Sequence, residues 1–171
     1  YGRQDEIRGP YARYDAWLKA TSRSDLLRKS REAHVFFRRV GITFNVYDDP
    51  EADERLIPFD VIPRIISAQE WAGLVRGIEQ RVKALNAFLH DLYHRQEIVR
   101  AGRVPERLIR ANPAFQPKMI GFDPPGDIYT HIVGVDLVRT GPDQFYVLED
   151  NARTPSGVSY MLENRETMLK M

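Results

Sequence analysis

Two acidic residues and an amide stand where two neighbouring extended segments would bring them together. Asp136 lies in residues 128–139, and Glu149 and Asn151 lie in residues 144–151. If residues 140–143 form a four-residue loop, Arg139 pairs with Gln144 and Asp136 falls opposite Val147. Facing side chains in an antiparallel pair share one side of the sheet. Glu149 and Asn151 share Val147's side by the period-two rule, so all three polar groups project together. Asp136 and Glu149 become diagonal neighbours, about 7–8 Å apart at the backbone. Carboxylate and amide oxygens are hard donors suited to magnesium. Their span also suits two ions about 3.5–4 Å apart clamping a triphosphate. A register slip of one residue would send one strand's set to the other face.

The same spacing has a blander reading, in which these are solvent-facing charges and Asp136 pairs with Arg139. A nuclease would want a lysine two places after the second acid, and position 151 is Asn. Beyond it, residues 152–160 hold Arg153, Thr154, Ser156, Gly157 and Ser159 at a strand-to-helix junction. Small hydroxyl residues and a glycine there direct N–H and O–H groups toward an anion. Arg153 can hold a carboxylate in a bidentate fork. The competing role for Thr154 or Ser156 is to cap the next helix.

Several elements must position these groups. Ser22 or Ser24 caps a helix running to about Val40, which Gly41 stops. Residues 42–47 alternate as a strand, Asp48-Asp49-Pro50 makes a turn, and Pro58 and Pro63 demote residues 55–66 to an edge strand or extended segment. Ser67 and Glu70 form a capping-box pattern ahead of a long helix to about Tyr93, whose stripe from Trp71 through Leu74, Ile78, Leu85 and Leu92 is expected in the core. A short helix at residues 105–111, a Pro-rich loop over 112–127, the two strands and a final helix from about Gly157 follow. The order indicates an α/β (α+β) fold. His90 and His94 have the i, i+4 spacing of a zinc pair, but with no third ligand evident they read as solvent-facing. His131, five places before Asp136, reads as packing on the opposite face of that strand. Tyr11, Tyr14 and Trp17 read as aromatic anchors of an N-terminal arm.

Composition narrows the class. Of 171 residues 43% are hydrophobic, 25 basic side chains offset 24 acidic ones, and there is no cysteine. A core is affordable, no nucleic-acid or membrane partner is indicated, and disulfides, thiolate metal sites and a Cys nucleophile are excluded. A cytoplasmic location is the expectation. The chain opens on Tyr1 and stops at Met171 within a helical pattern, so the rest of a longer polypeptide is an expected partner.

Val135-Asp136-Leu137-Val138-Arg139, Tyr146-Val147-Leu148-Glu149-Asp150-Asn151 and Arg153-Thr154-Pro155-Ser156-Gly157-Val158-Ser159-Tyr160-Met161-Leu162-Glu163-Asn164 resemble the signature of circularly permuted ATP-grasp proteins. These are similar to glutathionylspermidine synthetase and, more distantly, glutathione synthetase. The resemblance extends upstream through Gly41-Ile42-Thr43-Phe44, Ile57-Pro58-Phe59-Asp60, Pro63-Arg64 and residues 80–89. It implies an ATP-dependent carboxylate–amine ligase working through an acyl phosphate, with Mg2+ and with ATP as co-substrate. Asp136, Glu149 and Asn151 match the metal ligands. Arg153, Thr154, Ser156 and Ser159 match the acyl-substrate segment, with Arg139 as a further substrate contact and Arg153 and Ser156 nearest the reacting carboxylate. The substrates implied are small-molecule or peptide carboxylates and amines. A catalytically inert module that binds a peptide or partner is the competing expectation. The implied division is an arm at 1–24, a substrate-side region at 25–127, and the start of the permuted ATP-grasp domain at 128–171. Residues 121–126, stiffened by Pro124-Pro125, make a poor phosphate cradle, and Lys19, Lys29, Lys83, Lys118 and Lys170 form no ATP-holding strand. The nucleotide loop and its lysines are therefore expected beyond Met171.

Overall fold

The structure is a computed structural model that describes residues 6–41, 43, 44 and 55–170. In chain order its elements are α1 (Ala12–Ala20), α2 (Arg23–Val40), β1 (Thr43–Phe44), β2 (Arg55–Leu56), α3 (Ala68–Tyr93), α4 (Glu97–Arg100), α5 (Glu106–Arg110), β3 (Gly134–Gly141), β4 (Gln144–Asn151) and α6 (Gly157–Lys170). The mixed helix and antiparallel-sheet class agrees with the sequence reading. Two compact units form, residues 1–68 with 156–171, and residues 69–155.

In the first unit α2 has the expected ends. Ser22 accepts the Asp25 N–H at 3.1 Å, and Gly41 closes the helix in the left-handed region at φ 73°. Phe37 and Ala33 are fully buried, and Phe37 meets Phe59 edge-on at 5.2 Å. Residues 12–20 are helical rather than an irregular arm. The Tyr14 hydroxyl donates to the Val61 carbonyl, and the Tyr11 hydroxyl accepts the Ile65 N–H. Those bonds hold the proline-interrupted segment, which is strand only at β2 and pairs with β1 as Thr43↔Leu56 and Phe44↔Arg55. The rest of the expected 42–47 strand and the Asp48-Asp49-Pro50 turn lie outside the described residues. In α6 the Tyr160 hydroxyl reaches the Thr43 carbonyl at 3.4 Å, and Thr167 is fully buried.

The second unit rests on α3. Its C-terminal turns carry the buried Leu92 and Tyr93, and Tyr93 stacks on Phe115 and Tyr129. The stripe does not extend to Trp71, which is 54% exposed, while its neighbour Glu70 is 8% exposed. Successive helical residues lie about 100° apart around the axis, and Glu70 holds the inward position because Arg139 meets it there. Residues 128–133 are not strand, as the sequence pattern suggests, and β3 starts at Gly134. Asn86 on α3 explains the difference. Its Oδ1 accepts the backbone N–H groups of Tyr129 and Thr130 at 2.7 and 3.1 Å, and its Nδ2 donates to the Thr130 hydroxyl. Backbone donors taken by a side chain are withdrawn from a ladder. His131 therefore precedes the strand and is exposed.

Candidate functional site

The β3–β4 hairpin is tighter than expected and its register differs. Gly141 pairs with Gln144, leaving only Pro142 and Asp143 in the turn. Proline first and a positive φ second is a type II pattern, and Asp143 takes that second place at φ 53°. Arg139 pairs with Phe145, not Gln144, and Asp136 pairs with Glu149, not Val147. The ladder slips twice: Thr140 is an extra residue between Arg139 and Gly141, and Leu148 is an extra residue because Leu137 pairs with Val147 while Asp136 pairs with Glu149. Such a bulge breaks the alternation of faces. Val147 turns toward the half-buried side, whereas Leu148 and Glu149 are both exposed and Asp150 turns back inward.

The outer face thus gathers Asp136 and Glu149 as direct cross-strand neighbours instead of diagonal ones. Opposed pairs place their Cβ atoms about 4.5–5.5 Å apart. Asn151, opposite Gly134, lies next along that face and donates its amide N–H to Glu149 Oε1 at 2.9 Å. Among the described residues neither Asp136 nor Glu149 has a cationic side chain within ion-pair distance. Arg139, the expected neighbour of Asp136, lies on the other face.

The inner face is compensated. The Arg139 guanidinium donates to Glu70 and to the Gly141 carbonyl and lies over the Phe145 ring. Arg139, expected as a substrate contact, is half-buried on this inner face and makes these contacts toward α3. Asp150 receives Arg81 in a fork, with Nε and Nη2 at 2.7–2.8 Å. That bond raises the Arg81 guanidinium above its usual pKa. Between these two ion pairs α3 and the hairpin enclose a groove of about 770 Å³, lined by Gly73, Gly77, Ala84, Leu137, Phe145 and Val147 among others.

Gly134 lets the chain beyond β4 pass close. A Cβ there would stand 3.2 Å from Pro155 Cβ and 3.6 Å from Asn151 Cβ. This contact steers residues 151–155, including Arg153 and Thr154, both exposed, across the end of β3. Ser156 and Ser159 belong to the other unit, where Ser156 immediately precedes α6 and Ser159 is in its first turn; both are exposed.

Sequence reasoning read Glu70 as half of a capping box and missed its pairing with Arg139, and it missed the roles of Arg81, Asn86 and Asp150. Adjacent acids on a strand face opposite ways, so Glu149-Asp150 alone implied an inward carboxylate in need of a cation on the covering helix. No comparable local signal marked Asn86.

The family profile of circularly permuted ATP-grasp type 2 matches residues 63–171. This chain belongs to that family. It is 45% identical over 152 residues to an uncharacterized protein of Synechocystis sp., covering 89% of this chain and 32% of that relative. It is 44% identical over 168 residues to an uncharacterized protein of Mycobacterium leprae, covering 98% of this chain and 29% of that relative. A protein of Frankia alni bearing the name of a candidate glutamate–cysteine ligase is 45% identical over 138 residues, which are 80% of this chain and 15% of that protein. The chain thus spans about a third of the length of the first relatives. Among the described residues no helix is long and apolar enough to cross a membrane.

Proposed function

We propose that the polypeptide carrying this chain is an ATP-dependent carboxylate–amine ligase in which the outer face of the β3–β4 hairpin holds magnesium. The observation that carries this reading is the direct Asp136–Glu149 pairing, with Asn151 adjacent and no cationic side chain on either acid among the described residues. Two like charges directly opposed on a sheet are destabilising unless something neutralises them. The donor set is all oxygen once Asn151 presents its carbonyl, which fits Mg2+ and not a soft metal. When bound, magnesium supplies positive charge to a transferring phosphoryl group.

The remaining roles fall to the chain's own groups. Asp136 and Glu149 accept, and Asn151 braces Glu149 through its amide. The Leu148 bulge and the Arg139–Glu70 pair hold the acids facing outward on a fixed ladder. Arg153, which has no ion pair among the described residues, is assigned to the substrate carboxylate with Thr154 next to it in the chain, and the exposed hydroxyls of Ser156 and Ser159 are assigned to substrate binding. Phosphorylation of that carboxylate by ATP gives the acyl phosphate and ADP, attack by an amine then gives the amide and releases inorganic phosphate, and no protein nucleophile is required. The name of the Frankia relative supports amide formation with an amino-acid carboxylate, and a peptide-like product is the substrate class proposed. The nucleotide itself is assigned to the remaining length seen in the relatives, and a cytoplasmic enzyme fits this chemistry.

The test is the thermal midpoint of the full-length protein with Mg2+ and a non-hydrolysable ATP analogue, for wild type and Glu149→Gln. Ligand at 100-fold over its dissociation constant stabilises by about 2.7 kcal/mol. A shift in the wild type that shrinks in the variant supports the reading. No shift in either, with the fold intact, overturns the ligase and favours an inert binding module.

A further inference from the structure

The two histidines that read as solvent-facing in the sequence acquire a third neighbour in the fold. The rings of His90 and His94 on α3 stack at 4.3 Å between centroids and 9° between planes. Asp123 Oδ1 lies 2.9 Å from His94 Nε2 and 3.9 Å from His90 Nε2. The three donor atoms all fall within 4.8 Å of one another. In a tetrahedral zinc site with bonds of about 2.0–2.1 Å, neighbouring ligand atoms stand about 3.3–3.4 Å apart. The two Asp123 separations bracket that edge, and a rotation of one of the near-parallel rings brings both Nε2 lone pairs onto one ion.

The protonation pattern points the same way. His94 Nδ1 lies 2.9 Å from the His90 backbone carbonyl, an acceptor, so Nδ1 carries the proton in that bond. In the neutral ring Nε2 is then a bare lone pair. Nε2 is buried and makes no aligned hydrogen bond although a carboxylate oxygen lies 2.9 Å away. Either a proton on Nε2, making an ion pair with Asp123, or a divalent cation would compensate the carboxylate at that range. A carbonyl holding Nδ1–H while Nε2 is left free is the usual support of a metal-bound imidazole.

Asp123 is brought there by built contacts, although its own side chain is 72% exposed. The Gly121 N–H donates to the Tyr93 carbonyl at 2.8 Å, with Gly121 at φ 74°, which folds the loop back over the end of α3. Pro124, the next residue after Asp123, is buried. Tyr129 flanks the cluster, its ring edge-on to His90. Burial, with the Asp123 and Asp127 carboxylates, pushes its hydroxyl pKa up.

We propose that His90, His94 and Asp123 form a zinc-type divalent-cation site that clips the loop at Asp123 to the C-terminal end of α3. Two imidazoles and one carboxylate suit zinc or a similar borderline transition metal and disfavour magnesium and calcium, which take oxygen sets. Three protein ligands leave a fourth position for water. The site is separate from the hairpin's oxygen face and does not depend on the ligase reading.

The full chain, stripped of metal, is titrated with zinc in competition with a chromophoric chelator, with fold checked by circular dichroism. One equivalent is expected to bind. Asp123→Asn and His90→Ala, both at partly exposed positions, should weaken it by more than about 10-fold, the lower end of what even supporting residues cost. Asp136→Asn should bind zinc as the wild type does. Cobalt should give the intense visible bands of a four-coordinate ion in the wild type and lose them in both site variants. Equal zinc uptake by wild type, Asp123→Asn and His90→Ala would overturn the proposal. So would a cobalt spectrum matching the six-coordinate aqua ion, or no zinc retained against the chelator.

Discussion

Two faces of one short hairpin treat their charges in opposite ways. On the inner face Arg139 is matched by Glu70 and Asp150 by Arg81, so every charge there has a partner on α3. On the outer face Asp136 and Glu149 confront each other with only an amide beside them. Glu149 and Asp150 are consecutive, yet one meets the helix's cation and the other meets an acid. The bulge at Leu148 sets which one turns outward. The inner pairs fix the hairpin's position on α3, and the outer acids keep a concentration of negative charge that costs folding energy. Uncompensated charge held on a rigid, compensated support is the arrangement expected of a binding site.

The comparison can be broken from either side. The largest effect on stability is expected from Arg139→Met, which removes the ion-pair partner of the Glu70 carboxylate, 8% exposed. Removing one partner of a buried pair costs about 3 kcal/mol or more, read as a lowered midpoint in chemical denaturation. The double variant Arg139→Met with Glu70→Leu should recover much of that loss, because apolar replacement of both partners is often neutral. Next is Gly134→Ala, whose Cβ would press on Pro155 at 3.2 Å. Pro155 must give way by a few tenths of an ångström, so a cost of about 1 kcal/mol is expected, with residues 151–155 displaced and substrate binding weakened.

On the outer face the sign reverses. Glu149→Gln relieves repulsion with Asp136, so the metal-free protein should be unchanged or slightly more stable, within about 0.5 kcal/mol, while its response to Mg2+ and nucleotide is lost. A clear destabilisation of the metal-free protein would mean that Glu149 is structural. The smallest effect is expected from Arg81→Gln, because the Arg81 side chain is 45% exposed and its charge is screened. The drop in thermal midpoint should be slight at low salt and vanish at high salt.

An acid limb is also expected. The Asp91 carboxylate accepts the Ile98 and Glu97 N–H groups at 3.0 and 2.8 Å, and those bonds lower its pKa. A lowered folded pKa contributes stability above the unfolded value of about 3.9 that is lost as pH falls through the folded pKa. The protection of the α4 amides, taken relative to their intrinsic exchange rate, should fall below about pH 4, and in Asp91→Asn this pH dependence should disappear.

The elements were legible in the sequence where local chemistry decides them. Ser22 and Gly41 delimit α2, the apolar stripe gives α3 almost to the residue, and β4 has its expected bounds. What failed depended on contacts between distant residues. Residues 128–133 alternate like a strand, but Asn86, far back on α3, captures their N–H groups. The hairpin register was misjudged because Asp143 accepts a positive φ and shortens the turn, and because a bulge leaves no mark in hydrophobic periodicity. Two errors in register partly cancelled. The expected pairing put Asp136 opposite Val147 on a face shared with Glu149, whereas the actual pairing joins Asp136 to Glu149 and excludes Val147. The third member of the His90–His94 cluster was hidden for the same reason, because Asp123 arrives through a loop whose path Gly121 sets.

The most direct test of the hairpin's outer face is to count manganese, a spin-active stand-in for magnesium, bound to the full-length protein by electron paramagnetic resonance. Wild type, Asp136→Asn, Glu149→Gln and His90→Ala would be compared with nucleotide analogue present. Manganese bound by the wild type and by His90→Ala, but lost or strongly weakened in both acid variants, is the predicted result. Binding that survives Asp136→Asn and Glu149→Gln unchanged would contradict the assignment of this face as the metal site.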